Sequence, residues 1–295
     1  MNSSVVLNQR NTRIGVVLVL LSAVLNSFGG LLVRNMEEAS EWDILFYRNL
    51  SLFVAIVVLM IMQHGKKAAK EASRVGLWGV LGGVAYGIAA ISYLSALTHT
   101  TVANTVFTMS AIPFFTALLA WLFLKEQVSR STWVAMAFAM GGVAIMLADG
   151  FGSGSFYGNF AALLTALSYA SFVVIMRRSR TTNMLPSTAI GGLIAVVLAW
   201  INADGTLIGS QKVIVICILW GCGITFVSHW LVNWSKQYLT GADLTLLMLA
   251  EFILGPIWVW AFINEIPTLA TLVGGAVVLT AVTAKTILSV KSPDS

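Results

Sequence analysis

Long, continuous apolar runs restrict what this chain of 295 residues can fold into. A helix needs about 20 apolar residues to cross the hydrocarbon core of a bilayer. About ten runs meet that requirement, at residues 14–33, 43–62, 75–97, 102–123, 131–147, 157–176, 185–201, 213–235, 243–263 and 269–289. The links between them are short, so we expect one integral membrane domain.

Composition agrees with a membrane location. The chain is 58% hydrophobic and 10% charged, whereas soluble domains carry roughly 25% charged residues. The runs are uniformly apolar and do not alternate over roughly ten residues as the strands of a membrane barrel do. Because every backbone group in hydrocarbon must bond internally, the expected fold is an all-α membrane protein.

The basic residues predict the orientation of the chain. With the N-terminus inside, most of the 17 Lys and Arg residues fall on the inner side. Arg34 and Lys212 fall outside, and Arg48 falls within a segment. Cytoplasmic loops carry an excess of Lys and Arg. We therefore expect the protein to lie in the inner membrane of the cell, with both termini in the cytoplasm.

A repeat divides the chain into two halves. Six residues recur at a constant offset of 139: Thr101, Ala103, Met109, Trp121, Phe123 and Glu126 match Thr240, Ala242, Met248, Trp260, Phe262 and Glu265. Residues 20–23 and Arg34 match residues 163–166 and Arg177 at an offset of 143. We expect five-helix repeats over residues 1–150 and 151–295, and transporters are commonly built from two such halves.

Five helices per half would invert the second repeat relative to the first. Glu126 and Glu265 then lie at opposite membrane faces, each before a new helix. A carboxylate there favours the start of a helix through the helix dipole. The alternative is a role in closing the inner and outer gates.

The repeated motifs resemble those of the drug/metabolite transporter superfamily, in particular its EamA-like permeases. The resemblance rests on residues 46–48, 110–126, 250–260 and 264–268 and covers essentially the whole chain. It implies a ten-helix secondary carrier of two inverted repeats, with a midplane cavity mainly between segments one, three, four, six, eight and nine. Many members of this family export amino acids or other small metabolites.

Two charged residues within the segments are the first candidates for a site. A charge at this depth is costly and usually faces a protein interior or a water-filled cavity. Glu251, near the middle of the ninth segment, is a candidate substrate ligand or proton carrier. Arg48 could reach the outer surface, pair with Asp43 or Glu251, or bind an anionic group of the substrate.

Other polar and aromatic residues extend the candidate site. Asn26, Tyr86 and Tyr169 are expected to line the cavity, and Trp258 follows Glu251 by seven residues on a similar side of the helix. His229 is a second candidate proton carrier, although a lone histidine is commonly a satisfied core residue.

Three further residues have structural interpretations. Pro113 and Pro256 can kink their helices. Asp243, at the start of the ninth segment, is expected to cap the helix. The nucleotide-binding motif G-x-x-x-x-G-K-[ST] is absent from the sequence, so no cofactor is expected, no metal site is predicted, and energy should come from gradients.

The sequence leaves two substrate classes open. One is an amino acid or similar zwitterion, exported or exchanged against a proton or counter-solute. The other is an organic cation, held by Glu251 and aromatic rings. An intramembrane enzyme would need a nucleophile–base pair or a metal cluster at membrane depth, and a scaffold would need neither the repeat nor a buried carboxylate. Neither partner proteins nor an oligomeric state can be predicted, and the scattered basic residues do not indicate nucleic-acid binding.

Overall fold

A computed structural model describes residues 3–36, 38–125, 128, 130–153, 155–178, 185–203, 207, 209–235, 238 and 241–291. Within these helices the side chains of residues 3–12, 150–153, 177, 233, 241–246 and 285–291 are not described. The described chain is helical, and we number its ten helical regions as spans 1 to 10.

The first five spans cover residues 3–153. Span 1 is Ser3–Ser27 with Gly29–Arg34, span 2 is Glu41–His64, span 3 is Gly76–His99, span 4 is Val102–Met109 with Ile112–Leu124, and span 5 is Arg130–Ser153. A 3-10 turn, Gly65–Lys67, and a short helix, Ala68–Ser73, connect spans 2 and 3.

The second five spans cover residues 156–291. Span 6 is Phe156–Arg178, span 7 is Leu185–Asn202, span 8 is Gln211–Ile218 with Leu219–Thr225 and Phe226–Ser235, span 9 is Gly241–Ile263, and span 10 is Leu269–Lys291. Among the described residues, eight helical regions are long and apolar enough to cross a membrane, and Leu247–Ile263 and Leu269–Ala284 are shorter apolar helices. The prediction of an all-helical, multi-pass membrane protein is confirmed.

Three spans are interrupted. Span 1 breaks at Phe28 and span 4 breaks between Met109 and Ile112, where Pro113 lies in the first turn of the second helix. Pro suits a first turn because its missing N–H has no helical partner there. Span 8 passes through a π-helix at Leu219–Thr225. Span 9 contains Pro256 and is nevertheless one helix.

Most of the larger contacts between spans keep their pattern when each span is exchanged with the one five later. Span 3 packs against spans 6 and 7, and span 8 packs against spans 1 and 2. Span 1 packs against span 9, and span 6 packs against span 4. Counterparts also pack directly, spans 2 with 7, 4 with 9 and 5 with 10, whereas the contact of span 4 with span 10 has no counterpart of similar size between spans 9 and 5.

Glycines allow the closest of these contacts. A methyl group on Gly221 in the π-helix would overlap Ser51 Oγ and the Arg48 carbonyl oxygen of span 2. A methyl group on Gly29, directly after the break in span 1, would lie 2.9 Å from Tyr93 Oη and 3.4 Å from Trp220. Spans 1, 2, 3 and 8 therefore approach one another around Arg48.

Candidate functional site

Glu251 links the two halves of the protein near the middle of the bundle. It is half-buried near the centre of span 9, and the Asn26 side chain of span 1 lies beside its carboxyl group. Asn26 lies one residue before Ser27, the last residue before the break in span 1. A carboxyl group at this depth is costly unless polar groups lie near it, and the Asn26 amide is such a group.

Two tyrosines lie near the carboxyl group, and a third packs beside them. Tyr93 of span 3 and Tyr169 of span 6 are within electrostatic range of Glu251. Tyr86 packs on the Phe172 ring at 5.3 Å between centroids, and Tyr169 packs on the same ring at 5.9 Å. Phe172 therefore joins the tyrosines of spans 3 and 6 into one aromatic wall.

Arg48 is the second charged group of the site. Its side chain does not reach the surface, because only 8% of the residue is exposed. Its Cζ lies 4.1 Å from the Trp220 ring centroid and 5.5 Å from that of Tyr93. Within the described residues, Nε and Nη1 have no hydrogen-bond partner, and no ion pair joins Arg48 to Asp43 or Glu251.

Trp258 packs against the break in span 1. Its ring stacks on Phe28 at 5.2 Å between centroids and an interplanar angle of 10°. Its Nε1 donates a hydrogen bond to Ser27 Oγ at 2.9 Å, and Ser27 Oγ donates to the Val24 carbonyl at 2.7 Å. Span 9 thus contacts span 1 through two neighbouring pairs, Glu251 with Asn26 and Trp258 with Ser27.

One end of the bundle is closed by what we call the Arg34–Glu265 lock. Arg34 Nε donates to Glu265 Oε2 at 2.6 Å, and its Nη2 donates to the Thr100 carbonyl at 2.9 Å. Glu265 Oε1 accepts a hydrogen bond from the Val102 backbone N–H at 2.7 Å, in the first turn of span 4. The lock therefore joins span 1, the link between spans 3 and 4, and the link between spans 9 and 10.

An open pocket of about 510 Å³ lies beside the lock. It is lined in part by Arg34, Glu41, Thr98 and His99. Glu41 accepts hydrogen bonds from Ser95 at 3.3 Å and from Thr98 at 3.2 Å. Among the described residues, no group of three or more His, Cys, Asp or Glu side chains could hold a metal ion.

Most of the candidates from the sequence lie together. Contacts or electrostatic interactions connect Asn26, Arg48, Tyr86, Tyr169 and Glu251. Trp258 is attached to this group through the break in span 1. His229 is half-buried in span 8, on the helix Phe226–Ser235 that packs against span 1.

The remaining candidate residues lie outside the group around Glu251 and Arg48. Glu265 belongs to the lock, Pro113 starts a helix and Pro256 lies within one. Asp243 falls in the first turn of span 9, which begins at Gly241, and its side chain lies outside the described residues. Glu126 also lies outside the described residues.

Sequence reasoning missed Tyr93 and Trp220. Tyr93 follows Tyr86 by seven residues, which places both on one face of a helix, so its position could have been inferred from that spacing. Trp220 carries no comparable signal, because a π-helix determines where its ring points. Ser27 and Phe28 were missed because the break in span 1 contains no proline.

Comparisons with known proteins agree with a transport function. Residues 13–148 match the EamA-like transporter family. The pseudopaline exporter CntI of Pseudomonas aeruginosa is 26% identical over 276 residues, covering 90% of this chain and 94% of the exporter. The predicted resemblance to EamA-like permeases of the drug/metabolite transporter superfamily is confirmed.

Two other relatives are also transporters by name. Human solute carrier family 35 member G1 is 28% identical over 179 residues, covering 56% of this chain and 48% of the carrier, so the match spans about half of that protein. The uncharacterized transporter YdfC of Bacillus subtilis is 25% identical over 178 residues, covering 57% of each chain. The family and these relatives are transporters and not enzymes.

A solved structure has the same fold. A crystal structure that is 16% identical in sequence covers 95% of this chain and 99% of its own, with a TM-score of 0.61. The helical architecture is therefore shared over nearly the whole length.

Proposed function

We propose, from the match of residues 13–148 to the EamA-like transporter family, that the chain is a secondary carrier that works by alternating access. Its substrate is a small polar metabolite, an amino acid or related zwitterion, which is exported or exchanged. A proton or a counter-solute supplies the coupling. The relative named as an exporter, which matches 90% of this chain, supports the outward direction.

The position of Glu251 within span 9, half-buried and beside Asn26 of span 1, is the observation on which this proposal rests. It places an ionisable group at membrane depth between span 1 of the first half and span 9 of the second. An intramembrane carboxyl group is expensive to retain and commonly marks a substrate or proton pathway. A group that contacts both halves can respond when they move relative to each other.

We further propose that the halves are inverted repeats. The mostly exchange-symmetric packing of the spans supports a pseudo-two-fold relation between the halves, and an odd number of spans in each half, five, makes that relation an inversion. The lock then closes the outer face, and both termini are cytoplasmic in the inner membrane. Reporter fusions after Ser295 and within residues 204–208 test the orientation: we expect the first to report inside and the second outside.

The proton-coupling role falls on Glu251, with His229 of span 8 as the second titratable candidate. Protonation neutralises the carboxyl group and removes the cost of moving its charge between open states. Substrate binding at the same carboxylate would displace the proton, so that the two compete. Such competition is sufficient for exchange of a proton against a cationic group.

Counterflow in vesicles tests the carrier function directly. Vesicles that contain purified protein are loaded with one unlabelled amino acid at a time, and entry of the same labelled compound is measured. We expect transient accumulation with at least one compound of the panel and its loss in Glu251→Gln. Glu71→Gln is the matched control, since Glu71 pairs with Arg74 on the short helix between spans 2 and 3. Equal counterflow in vesicles without protein would refute the proposal.

An organic cation is the second candidate substrate. The carboxyl group of Glu251 lies near the aromatic side chains Tyr93 and Tyr169, and aromatic faces attract quaternary ammonium groups. Counterflow of choline that is stronger than that of every amino acid tested would favour this candidate.

A further inference from the structure

Two hydrogen-bond donors of the buried Arg48 side chain have no acceptor among the described residues. A buried guanidinium normally has its donors satisfied, because an unmatched buried charge is costly. Here Nε and Nη1 are enclosed and have no partner among the described residues. Asp43 Oδ1, on the same helix, is also buried and has no hydrogen-bond partner among the residues that the structure describes, yet it does not form an ion pair with Arg48.

The surroundings of Arg48 hold the guanidinium by its face. Trp220 lies at 4.1 Å from Cζ and Tyr93 at 5.5 Å, which we call the Arg48 cage. Stacking on an aromatic ring uses the face of the guanidinium, whereas its N–H donors point outward in the plane. The cage therefore restrains the face of the group, while the enclosed donors Nε and Nη1 at its edge have no acceptor among the described residues.

The backbone around the cage has an unusual conformation. Trp220 belongs to the π-helix Leu219–Thr225 of span 8, and Gly221 next to it fits against the Arg48 carbonyl oxygen. π-Helical turns are rare and are frequent at functional sites. Gly29 covers the other side, since a methyl group there would lie 2.9 Å from Tyr93 Oη.

Tyr93 connects the cage to the carboxyl group of Glu251. It is within electrostatic range of both Arg48 and Glu251, which do not pair with each other. Arg48 and Glu251 thus both act on Tyr93, and a zwitterion that contacts both groups would place its carboxylate at Arg48 and its ammonium group at Glu251. Planar carboxylates match the guanidinium fork through two parallel hydrogen bonds.

We propose that the Arg48 cage is a subsite for the carboxylate of the substrate, so that this carrier selects compounds with both an ammonium and a carboxylate group. This rests on the proposed carrier function. A single cation next to a carboxyl group suits a singly charged anion, because a phosphate dianion would leave an excess negative charge in the bundle. Because Nε and Nη1 are enclosed, the carboxylate reaches them when Trp220 moves.

A binding assay on the purified full-length protein tests the subsite without transport. Thermal stabilisation is measured with each of the twenty standard L-amino acids and with its α-carboxamide, which keeps the ammonium group and loses the negative charge. A ligand that binds the folded state raises the apparent stability. For at least one amino acid, we expect the carboxamide to bind about tenfold to a hundredfold more weakly, the range for loss of a charged hydrogen bond.

Variants separate recognition from a structural role. Arg48→Gln should bring carboxylate and carboxamide to within about twofold of each other, while carboxamide binding stays as in the wild type. Arg74→Gln, on an exposed arginine that pairs with Glu71, should keep the full preference. If Arg48→Gln does not fold, Trp220→Leu is used, in which we expect the preference to weaken because the guanidinium plane is no longer held.

The outcomes distinguish this subsite from the carrier function. Equal binding of carboxylate and carboxamide by the wild type, an unchanged preference in Arg48→Gln, or no binding of any carboxylate would overturn the subsite. Glu251-dependent counterflow of a solute without a carboxylate would do the same and leave the carrier function standing. If the protein prefers carboxylates in the binding assay but shows no counterflow with any compound, the carrier function is rejected instead.

Discussion

Arg34 and Glu265, which are 231 residues apart in the chain, form an ion pair with 2.6 Å between Nε and Oε2. Both side chains are 18% exposed. The pair is reinforced on each side, because Arg34 also bonds to the Thr100 carbonyl and Glu265 to the Val102 N–H. It therefore joins the end of span 1, the link between spans 3 and 4, and the link between spans 9 and 10 at one end of the bundle.

The lock should show energetic coupling. We expect Arg34→Gln and Glu265→Gln each to lower the thermal unfolding midpoint, and the double variant to lose clearly less than the sum. Half-buried, hydrogen-bonded partners in one network couple by about 1–2 kcal/mol. A double-mutant cycle on the purified protein measures this term. Additive losses would mean that the pair contributes no net interaction.

Removal of the Glu251 charge should change how flux depends on pH. In Glu251→Gln the amide cannot take up a proton, so we expect the pH-dependent counterflow that Glu71→Gln retains between pH 5 and 9 to be absent. Flux at several pH values in vesicles provides the measurement. An unchanged pH profile in Glu251→Gln would exclude this carboxyl group as the proton carrier and direct attention to His229.

The hydrogen bond from Trp258 to Ser27 should stabilise the break in span 1. Ser27→Ala leaves the indole N–H without its acceptor, which costs about 1–3 kcal/mol for a buried donor. We expect this cost to fall in the Trp258→Phe background, because Phe keeps a ring against Phe28 and has no N–H to satisfy. Thermal midpoints of the two single variants and the double variant measure the difference. Equal costs in both backgrounds would show that the hydrogen bond is not what stabilises the break.

Two glycines of the π-helix form a matched pair. In Gly221→Ala the new methyl group would overlap Ser51 Oγ and the Arg48 carbonyl oxygen, whereas nothing lies within 4 Å of a methyl group in Gly223→Ala. Both substitutions replace Gly by Ala within a helix, so they change the intrinsic helix propensity by the same amount. We expect Gly221→Ala to destabilise the protein by about 1–3 kcal/mol or more through overpacking, and Gly223→Ala to be neutral or to stabilise it by up to about 1 kcal/mol. Thermal midpoints and ligand stabilisation measure both, and equal behaviour would mean that spans 2 and 8 pack less closely than described.

Several features of the fold could be predicted because they depend on local composition. The ten apolar segments coincide with spans 1 to 10, except that the third begins one residue before span 3, and Glu251 was placed near the middle of span 9. Hydropathy is summed along the chain and needs no partner, so a sequence is sufficient for it. The break in span 1 was not predicted, because Phe28 has no helix-breaking residue beside it other than glycine.

The two prolines also show that a sequence alone does not determine where a helix breaks. Pro256 lies within a continuous helix, whereas span 4 breaks just before Pro113. A proline removes one donor from the backbone, and neighbouring helices decide whether the helix bends, breaks or stays continuous. Sequence alone could therefore name both residues but could not distinguish them.

The sequence by itself determined that the chain crosses a membrane many times, that it repeats, and that Glu251 and Arg48 lie where charges are rare. Only the tertiary structure decided which residues they meet: Asn26 for Glu251, and Trp220 and Tyr93 for Arg48. The physical reason is that burial follows from composition along one helix, whereas a hydrogen bond or stacked ring needs two helices at a defined distance and rotation. Trp258 and Ser27, also 231 residues apart, meet only after spans 1 and 9 have packed.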